Sequence, residues 1–391
     1  MEKKGRFGPG FLIAAAFIGP GTVTSATLAG ANFGFSLLWI VLIAIFSAII
    51  LQEMVGRFSL ATKMDIGSAL VKIPDRVWIR VIFKILAFLA IIVGCAAYET
   101  GNIVGGALGI NIISGVNLNF WVILISISAF LLLFFGKYKV IEKFLIFLVV
   151  IMGISFFITA FLVSPNIFAI LKGFKPSIPE GSITLVLALL GTTIVPYNLF
   201  LHSSSVLKKW KSSESISLMR WDTALAIGLG GFITMAIIIT ASVAYYFKGI
   251  SISAPSDLSL QLEPLFGKFA GISFGIGFFA AGLSSAITAP YAAAFTSKGL
   301  FGWKEEGVKF KTIFSFVILT GIFVSFLKIK PLSIIILAQV TNALLLPIVA
   351  LFIFYLLNSE DSGEFKNTLF QNILFVLIFI IIVFVNMKKF L

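Results

Sequence analysis

Apolar runs long enough to cross a lipid bilayer follow one another from residue 11 to residue 387, and that recurrence confines the chain to one kind of fold. Inside hydrocarbon every backbone donor and acceptor has to be satisfied within the protein, so a segment of this kind crosses as a helix. Apolar stretches between charged or turn-rich joints predict spans near 11–33, 36–56, 79–108, 119–136, 142–164, 183–206, 222–247, 265–297, 312–328, 331–357 and 368–387. The expected fold is an all-α polytopic membrane protein of about eleven transmembrane helices, with the lipid bilayer as its first partner. With 59% of residues hydrophobic and 12% charged, little remains from which to build a soluble module. The longest polar stretches, 208–222 and 358–367, have the length of loops, so residues 1–391 form one membrane domain.

The formal charge of +13 would suit a nucleic-acid partner if it were gathered on one surface, but it is dispersed over alternate loops. Lys72, Arg76, Arg80, Lys208, Lys209, Lys298, Lys309 and Lys311 fall on one side of the predicted spans. The sparser Lys172, Lys175, Lys248, Lys268, Lys328 and Lys330 fall on the other. By the positive-inside rule, the amino terminus is cytoplasmic and an odd helix count places the carboxyl terminus outside, as in a plasma-membrane (cell-membrane) protein. Nucleic acid is excluded as a partner. The basic start at Met1–Lys4 precedes an apolar run without a clean small-residue cleavage site, so that run reads as the first span. The lone Cys95 can form neither an intramolecular disulfide nor a cysteine metal cluster. No Walker-type glycine loop and no His-Glu-x-x-His helix is present, so an enzyme or a nucleotide-driven pump has no visible machinery, and no cofactor is implied.

Two spans are interrupted at mid-membrane depth, at Ile18-Gly19-Pro20-Gly21-Thr22 and at Ile194-Val195-Pro196-Tyr197. Proline removes a donor and glycine relaxes the helix, exposing backbone groups that lipid cannot satisfy. Broken helices at matching places in two halves commonly build the central site of an inverted-repeat secondary transporter. The breaks fall in spans one and six. A five-plus-five arrangement follows, with 11–164 as the first repeat, 183–357 as the second and 368–387 as an extra helix. Paired breaks without repeated rings of carbonyls or charges favour alternating access over an open pore.

Several local segments, in order along nearly the whole chain, resemble the NRAMP family of proton-coupled divalent-metal transporters. They are Gly8 to Leu12, Ala29 to Trp39, Ala61-Thr62 with Asp65, Pro196 to Ser204, Asp222 to Ala224, Gly282 to Thr288, Ala338 to Val340, and Leu346-Pro347. The resemblance implies a leucine-transporter-like fold and ion-coupled symport of a divalent metal cation. At the site, however, the chain departs from the family. Where the family has Asp-Pro-Gly-Asn, this chain has Gly19-Pro20-Gly21-Thr22, and where it has Met-Pro-His, this chain has Val195-Pro196-Tyr197. On the third span the family's aspartate and glutamate are matched by Glu99 and Asn102.

Transition-metal selectivity rests on nitrogen and sulfur donors, which these substitutions remove. The candidate substrate site is therefore Gly19, Pro20, Gly21, Thr22, Val195, Pro196, Tyr197, Asn198 and Gln339, all neutral, with no metal-ligand set assigned. Such oxygens suit a hydrated hard cation, held weakly. The same losses leave helix amino-terminal ends bare toward the cavity, which suits a carboxylate, so a small organic solute such as an amino acid is the alternative cargo. Candidate proton- or ion-coupling residues are Glu99, Asn102 and His202, with Ser284, Ser285 and Thr288 on one helical face able to bind sodium. An ionisable group inside a span marks a functional position, and Glu99 is expected to reach the cavity between the breaks. Glu53 and Arg57, four apart, read as an ion pair on one helix, and Asp222 as a helix cap.

Overall fold

Prolines and glycines fix where the helices start and stop. The structure is a computed structural model that describes residues 18–136, 139–210, 215–305 and 307–389. Expectations resting on residues 1–17, among them the first half of span one and Gly8 to Leu12, lie outside the described residues. In chain order the long helices are α1 (Pro20–Phe33), α2 (Leu38–Thr62), α3 (Val77–Ser114), α4 (Leu118–Phe134), α5 (Lys139–Leu162), α6 (Ile183–Thr193), α7 (Pro196–Lys209), α8 (Ile216–Ala244), α9 (Ala270–Phe301), α10 (Val308–Ser325), α11 (Pro331–Asn358) and α12 (Leu369–Met387). There is no strand among the described residues.

Nine described helical stretches are long and apolar enough to cross a membrane, and Leu118–Phe134 is a shorter apolar helix. One of the nine, Pro20–Thr62, contains both α1 and α2 around a 3-10 turn at Gly34–Leu37, and another, Ile183–Lys209, contains α6 and α7. Each of the eleven expected spans thus carries helix. Left-handed backbone ends several of them: Lys63 closes α2 at φ 59°, Gly115 closes α3 at φ 67° and Gly302 closes α9 at φ 68°. A capping box at the start of α12 pairs Thr368 with Gln371. Asp222 does not cap its helix. It lies buried inside α8, whose N-cap is Ser215.

Side chains on the outer faces, such as Phe144, Phe161, Phe316 and Phe323, are exposed as lipid would require. Between helices the contacts depend on small residues, because lipid offers no hydrophobic drive toward helix association. The most extensive interface joins α3 to α9. There a Cβ on Gly282 would lie 2.3 Å from the Gly106 nitrogen, and one on Gly109 would lie 2.4 Å from the Phe279 nitrogen. Likewise α1 meets α8 through Gly30, whose Cβ would fall 2.4 Å from the Ile238 carbonyl oxygen. Helix α11 packs on α3, α6 and α1 together, which brings it across both breaks. The last helix is tied in, not peripheral. The Asn386 amide donates to the Ala343 carbonyl at 3.0 Å, and Lys389 donates to the Thr184 hydroxyl at 2.7 Å.

The two ends of the bundle are closed differently. At one end Gln261, on a 3-10 segment between α8 and α9, donates to Thr27 of α1 at 2.8 Å and accepts from Thr240 of α8 at 3.0 Å. At the other, the Glu53–Arg57 pair forms at 3.0 Å and extends beyond one helix. Glu53 also accepts from Arg220, and Arg57 donates to the Phe365 carbonyl and to Asn367.

Candidate functional site

At the first break Gly19 is extended (φ −104°, ψ −175°) and Pro20 takes the first helical position, where its missing N–H costs nothing. The Gly19 carbonyl accepts from Val23 at 3.2 Å, closing the first turn. At the second, α6 ends with Ile194 donating to Leu190 at 2.9 Å. Ile194 (ψ 80°) and Val195 (ψ 120°) leave helical geometry, and Pro196 starts α7. The two breaks are joined directly. The Thr22 and Thr192 hydroxyls are 2.7 Å apart, buried, and separated by 170 residues in sequence.

Gln339 of α11 sits over this junction. A Cβ on Gly21 would be 2.1 Å from its amide nitrogen, and one on Gly191 would be 2.0 Å from its carbonyl oxygen, so both glycines are needed for α11 to approach. Ser285 of α9 borders the first break, its hydroxyl 3.1 Å from where a Gly19 Cβ would stand. The Pro20 ring rests on Gly105 of α3. Tyr197 meets Tyr98 of α3 edge to face, with ring centres 5.5 Å apart.

Several buried oxygens here have no hydrogen-bond partner within the protein: the Tyr197 hydroxyl, Asn198 Oδ1 and Gln339 Oε1. Leaving such atoms unsatisfied costs about 1–3 kcal/mol each, so they are positions for water or solute. No group of three or more His, Cys, Asp or Glu able to hold a metal ion is present among the described residues.

The expected residues therefore divide. Gly19, Pro20, Gly21, Thr22, Val195, Pro196, Tyr197, Asn198, Gln339 and Ser285 come together around the two breaks. Glu99 is buried, with both carboxylate oxygens unpartnered, but it does not line the gap. Its stem packs on Gly321 of α10, whose Cβ would lie 2.9 Å from Glu99 Cγ. Gly101, which faces Gln339 and Ala338 of α11, lies two residues on and so nearly opposite on the helix. Glu99 instead stands behind Tyr197, within electrostatic reach of it and beside Asn102. His202 points at α8, its Nε2 3.4 Å from the Thr223 hydroxyl and its Nδ1 unpartnered. On α9 the Thr288 hydroxyl donates to the Ser284 carbonyl at 2.9 Å.

Three participants escaped the sequence reading: Tyr98, Thr192 and Asn342. Asn342 is fully buried with both amide atoms unpartnered, its oxygen 3.0 Å from a Cβ position on Gly94. The pair Gly94 and Gly101, seven residues apart, was the available signal, since it marks the α3 face that side-chain amides of α11 approach.

A profile described as natural resistance-associated macrophage protein-like matches residues 10–391. The divalent metal cation transporter MntH of Klebsiella pneumoniae is 28% identical over 375 residues, which is 92% of this chain and 87% of that protein. The structure of an Eremococcus coleocola manganese transporter in complex with an aromatic bis-isothiourea substituted compound superposes with a TM-score of 0.75 at 22% identity, covering 98% of this chain and 85% of that one. MhsT in complex with L-phenylalanine superposes with a TM-score of 0.65 at 19% identity, covering 98% and 100%, and these likenesses give the fold. With its all-helical, leucine-transporter-like architecture and a family match over almost its full length, the chain is an integral membrane protein that belongs to the Nramp family.

Proposed function

We propose that this chain is a secondary-active transporter that carries a hydrated hard divalent cation by alternating access, with the transition-metal selectivity of its relatives altered. The observation that carries this reading is the set of unpartnered acceptors beside the breaks: Tyr197, Asn198 and Gln339. A cation that keeps its first water shell presents O–H groups outward, and neutral oxygens with free lone pairs are what those waters need. Magnesium dehydrates reluctantly and fits such a site better than manganese, whose discrimination draws on softer donors. Glu99, one shell out behind Tyr197, is an ionisable group whose charged form a dication at membrane depth would favour.

Coupling follows from the same neighbourhood. Glu99 is the proton acceptor of this reading, with Asn102 beside it and His202 further along α7, while Ser284, Ser285 and Thr288 with the Gly19 carbonyl would hold sodium if the coupling ion is sodium. The basic-rich face is cytoplasmic, the carboxyl terminus is outside and the membrane is the plasma membrane. Residues 11–164 and 183–357 act as the two inverted repeats.

Uptake by proteoliposomes tests the cation reading. Native protein is expected to take up magnesium in preference to manganese, whereas Gly19→Asp, Thr22→Asn, Val195→Met together restore manganese uptake. Space permits the first change, because only the Ser285 hydroxyl, 3.1 Å away, has to rotate. If neither ion enters through the native protein, the cation assignment fails. A second reading, an amino-acid-like solute, draws on the helix starts at Pro20 and Pro196, which face the gap without a carboxylate between them. It requires carboxylate-bearing amino acids, and not divalent ions, to raise the melting temperature of the purified protein.

A further inference from the structure

On the face that carries Lys208, a cluster of charges joins the end of α7 to the turn after α9. Along α9, Ser284, Thr288, Tyr291 and Phe295 fall on one helical stripe, which runs from beside the first break toward this face. Tyr291, alone of these four, also lines a cavity of 540 Å³ together with Lys208, Glu305, Lys311, Phe134 and Phe310. Lys208, in the last turn of α7, reaches across to Glu305, in the turn after α9, at 3.7 Å. Glu305 is held from its own side by Lys298 at 2.6 Å and by the Tyr291 hydroxyl at 3.0 Å. The Lys208 and Lys298 ammonium groups also stand over the Phe295 ring, 4.8 and 4.5 Å from its centre.

The arrangement is asymmetric, and the asymmetry suggests its use. Lys298 and Tyr291 belong to α9 and orient the carboxylate within its own element. Lys208 belongs to α7, the half-helix that starts at the second break, and stands ~18 Å along the axis from Pro196. A half-helix can swing about its break only when its far end is released.

We infer that the Lys208–Glu305 pair is a latch that closes the cytoplasmic exit from the central gap, with Phe295 as the plug it holds in place. This rests on the alternating-access reading above but not on which solute is carried. Lys208 is 61% and Glu305 35% exposed, and pairs that wet couple weakly, so the latch biases the closed state by a few fold and does not lock it.

Accessibility reads the latch without any transported solute. Ala292, buried on α9 next to the stripe, is replaced in an Ala292→Cys reporter and labelled from the cytoplasmic face with a membrane-impermeant maleimide. The native Cys95 is buried, and its background is measured on the chain lacking the reporter. Lys208→Met and Glu305→Gln are expected to speed labelling by about two- to five-fold, the span set by an exposed pair. Lys208→Arg and, as a control on the exposed neighbour in the same helical turn, Lys209→Met are expected to stay near the parent rate. Labelling by Lys208→Met at the parent rate overturns the latch, and so does an equal rise in Lys209→Met, which would mark general loosening. Unchanged elution and melting temperature confirm that each variant is folded. Failure here leaves the uptake reading intact, and failed uptake leaves the latch intact.

Discussion

Gly21 is fitted closely to the end of the Gln339 side chain, with 2.1 Å between the amide nitrogen and a Cβ that glycine lacks. Gly21→Ala leaves the backbone angles allowed but drives the Gln339 amide away from the junction, removing one acceptor from the solute. Transport should fall at least tenfold, as expected for loss of about 1.4 kcal/mol of binding in the occluded state, while the melting temperature changes little because the displaced group is the end of a flexible side chain. Uptake and thermal unfolding measured on the same preparation check both halves of that statement. At Glu99 the expectation is different. Glu99→Gln keeps the shape of a buried, unpartnered group and removes its capacity to take a proton. If Glu99 couples transport to protons, the variant should lose uphill uptake driven by a pH gradient yet retain solute exchange across the membrane; exchange and uphill uptake declining together would assign Glu99 to the solute site. Residue identity was legible at the breaks, since Gly19 and Val195 declare the missing carboxylate and thioether in the sequence itself. Facing was not. Nothing along the chain tells that Glu99 leans on Gly321 or that Thr22 meets Thr192, because those depend on how distant helices rotate against each other.

Helices were legible because hydrocarbon imposes one solution on every long apolar run, and the second break was legible because Pro196 cannot continue α6. Their ends were less so. The third span was expected to stop near Leu108, where the apolar window ends, yet α3 continues to Ser114 because Gly115 supplies the left-handed residue that terminates it. How two helices pack was readable only in part, from glycines at suggestive spacings on α3. The α3–α9 interface gives the sharpest test at this scale. A methyl on Gly282 would sit 2.3 Å from the Gly106 backbone nitrogen, with no flexible side chain to give way. Gly282→Ala should therefore destabilise the fold by about 1–3 kcal/mol, the usual cost of overpacking, read as a lower melting temperature in detergent. A second test concerns the turn after α9. Burial by itself would raise the Glu305 carboxyl, but the Lys298 hydrogen bond, the Lys208 charge and the Tyr291 hydroxyl outweigh it and hold the group below the ordinary carboxylate range. The charged form thus contributes its stabilisation above the ordinary value and loses it only as the pH falls through the lower folded value. Lys311, on α10, lines the same cavity and adds positive charge of the same sense. Labelling of the Ala292→Cys reporter should accordingly be flat between about pH 5 and about pH 8 once corrected for thiolate reactivity, since a carboxylate held below its ordinary value near 4 stays charged throughout.

Across the whole molecule, the breaks lie between two unlike polar contacts, one at each end of the bundle. The one on the face proposed above to be outer is a dense neutral clasp. Gln261 uses its amide nitrogen on Thr27 and on the Leu258 carbonyl, its oxygen on Thr240, and its backbone N–H on the Tyr245 hydroxyl. All of this is buried, so each bond broken on opening leaves a polar group that water has to reach. The other, on the face proposed above to be cytoplasmic, is the exposed pair of Lys208 and Glu305. A buried clasp opposed to a wet latch makes the outer side the costlier one to open, and a solute that enters from outside has to compensate for that with contacts at the breaks. Gln261→Leu preserves volume but strands the Thr27 hydroxyl and leaves Thr240 only the Ile237 carbonyl, which costs the clasp about 1–3 kcal/mol. In an alternating-access protein that loss cannot stay local. The outward-open population should rise, and because both ends are not open together, labelling of Ala292→Cys from the cytoplasm should fall in the same variant. Adding Glu305→Gln to Gln261→Leu should bring cytoplasmic labelling back toward the parent rate, since each substitution biases the same two-state equilibrium in opposite directions and their free energies add. Should Gln261→Leu raise accessibility at both ends at once, the gap would be behaving as a pore and the rocking of α1 and α7 about their breaks would be the wrong description of the motion.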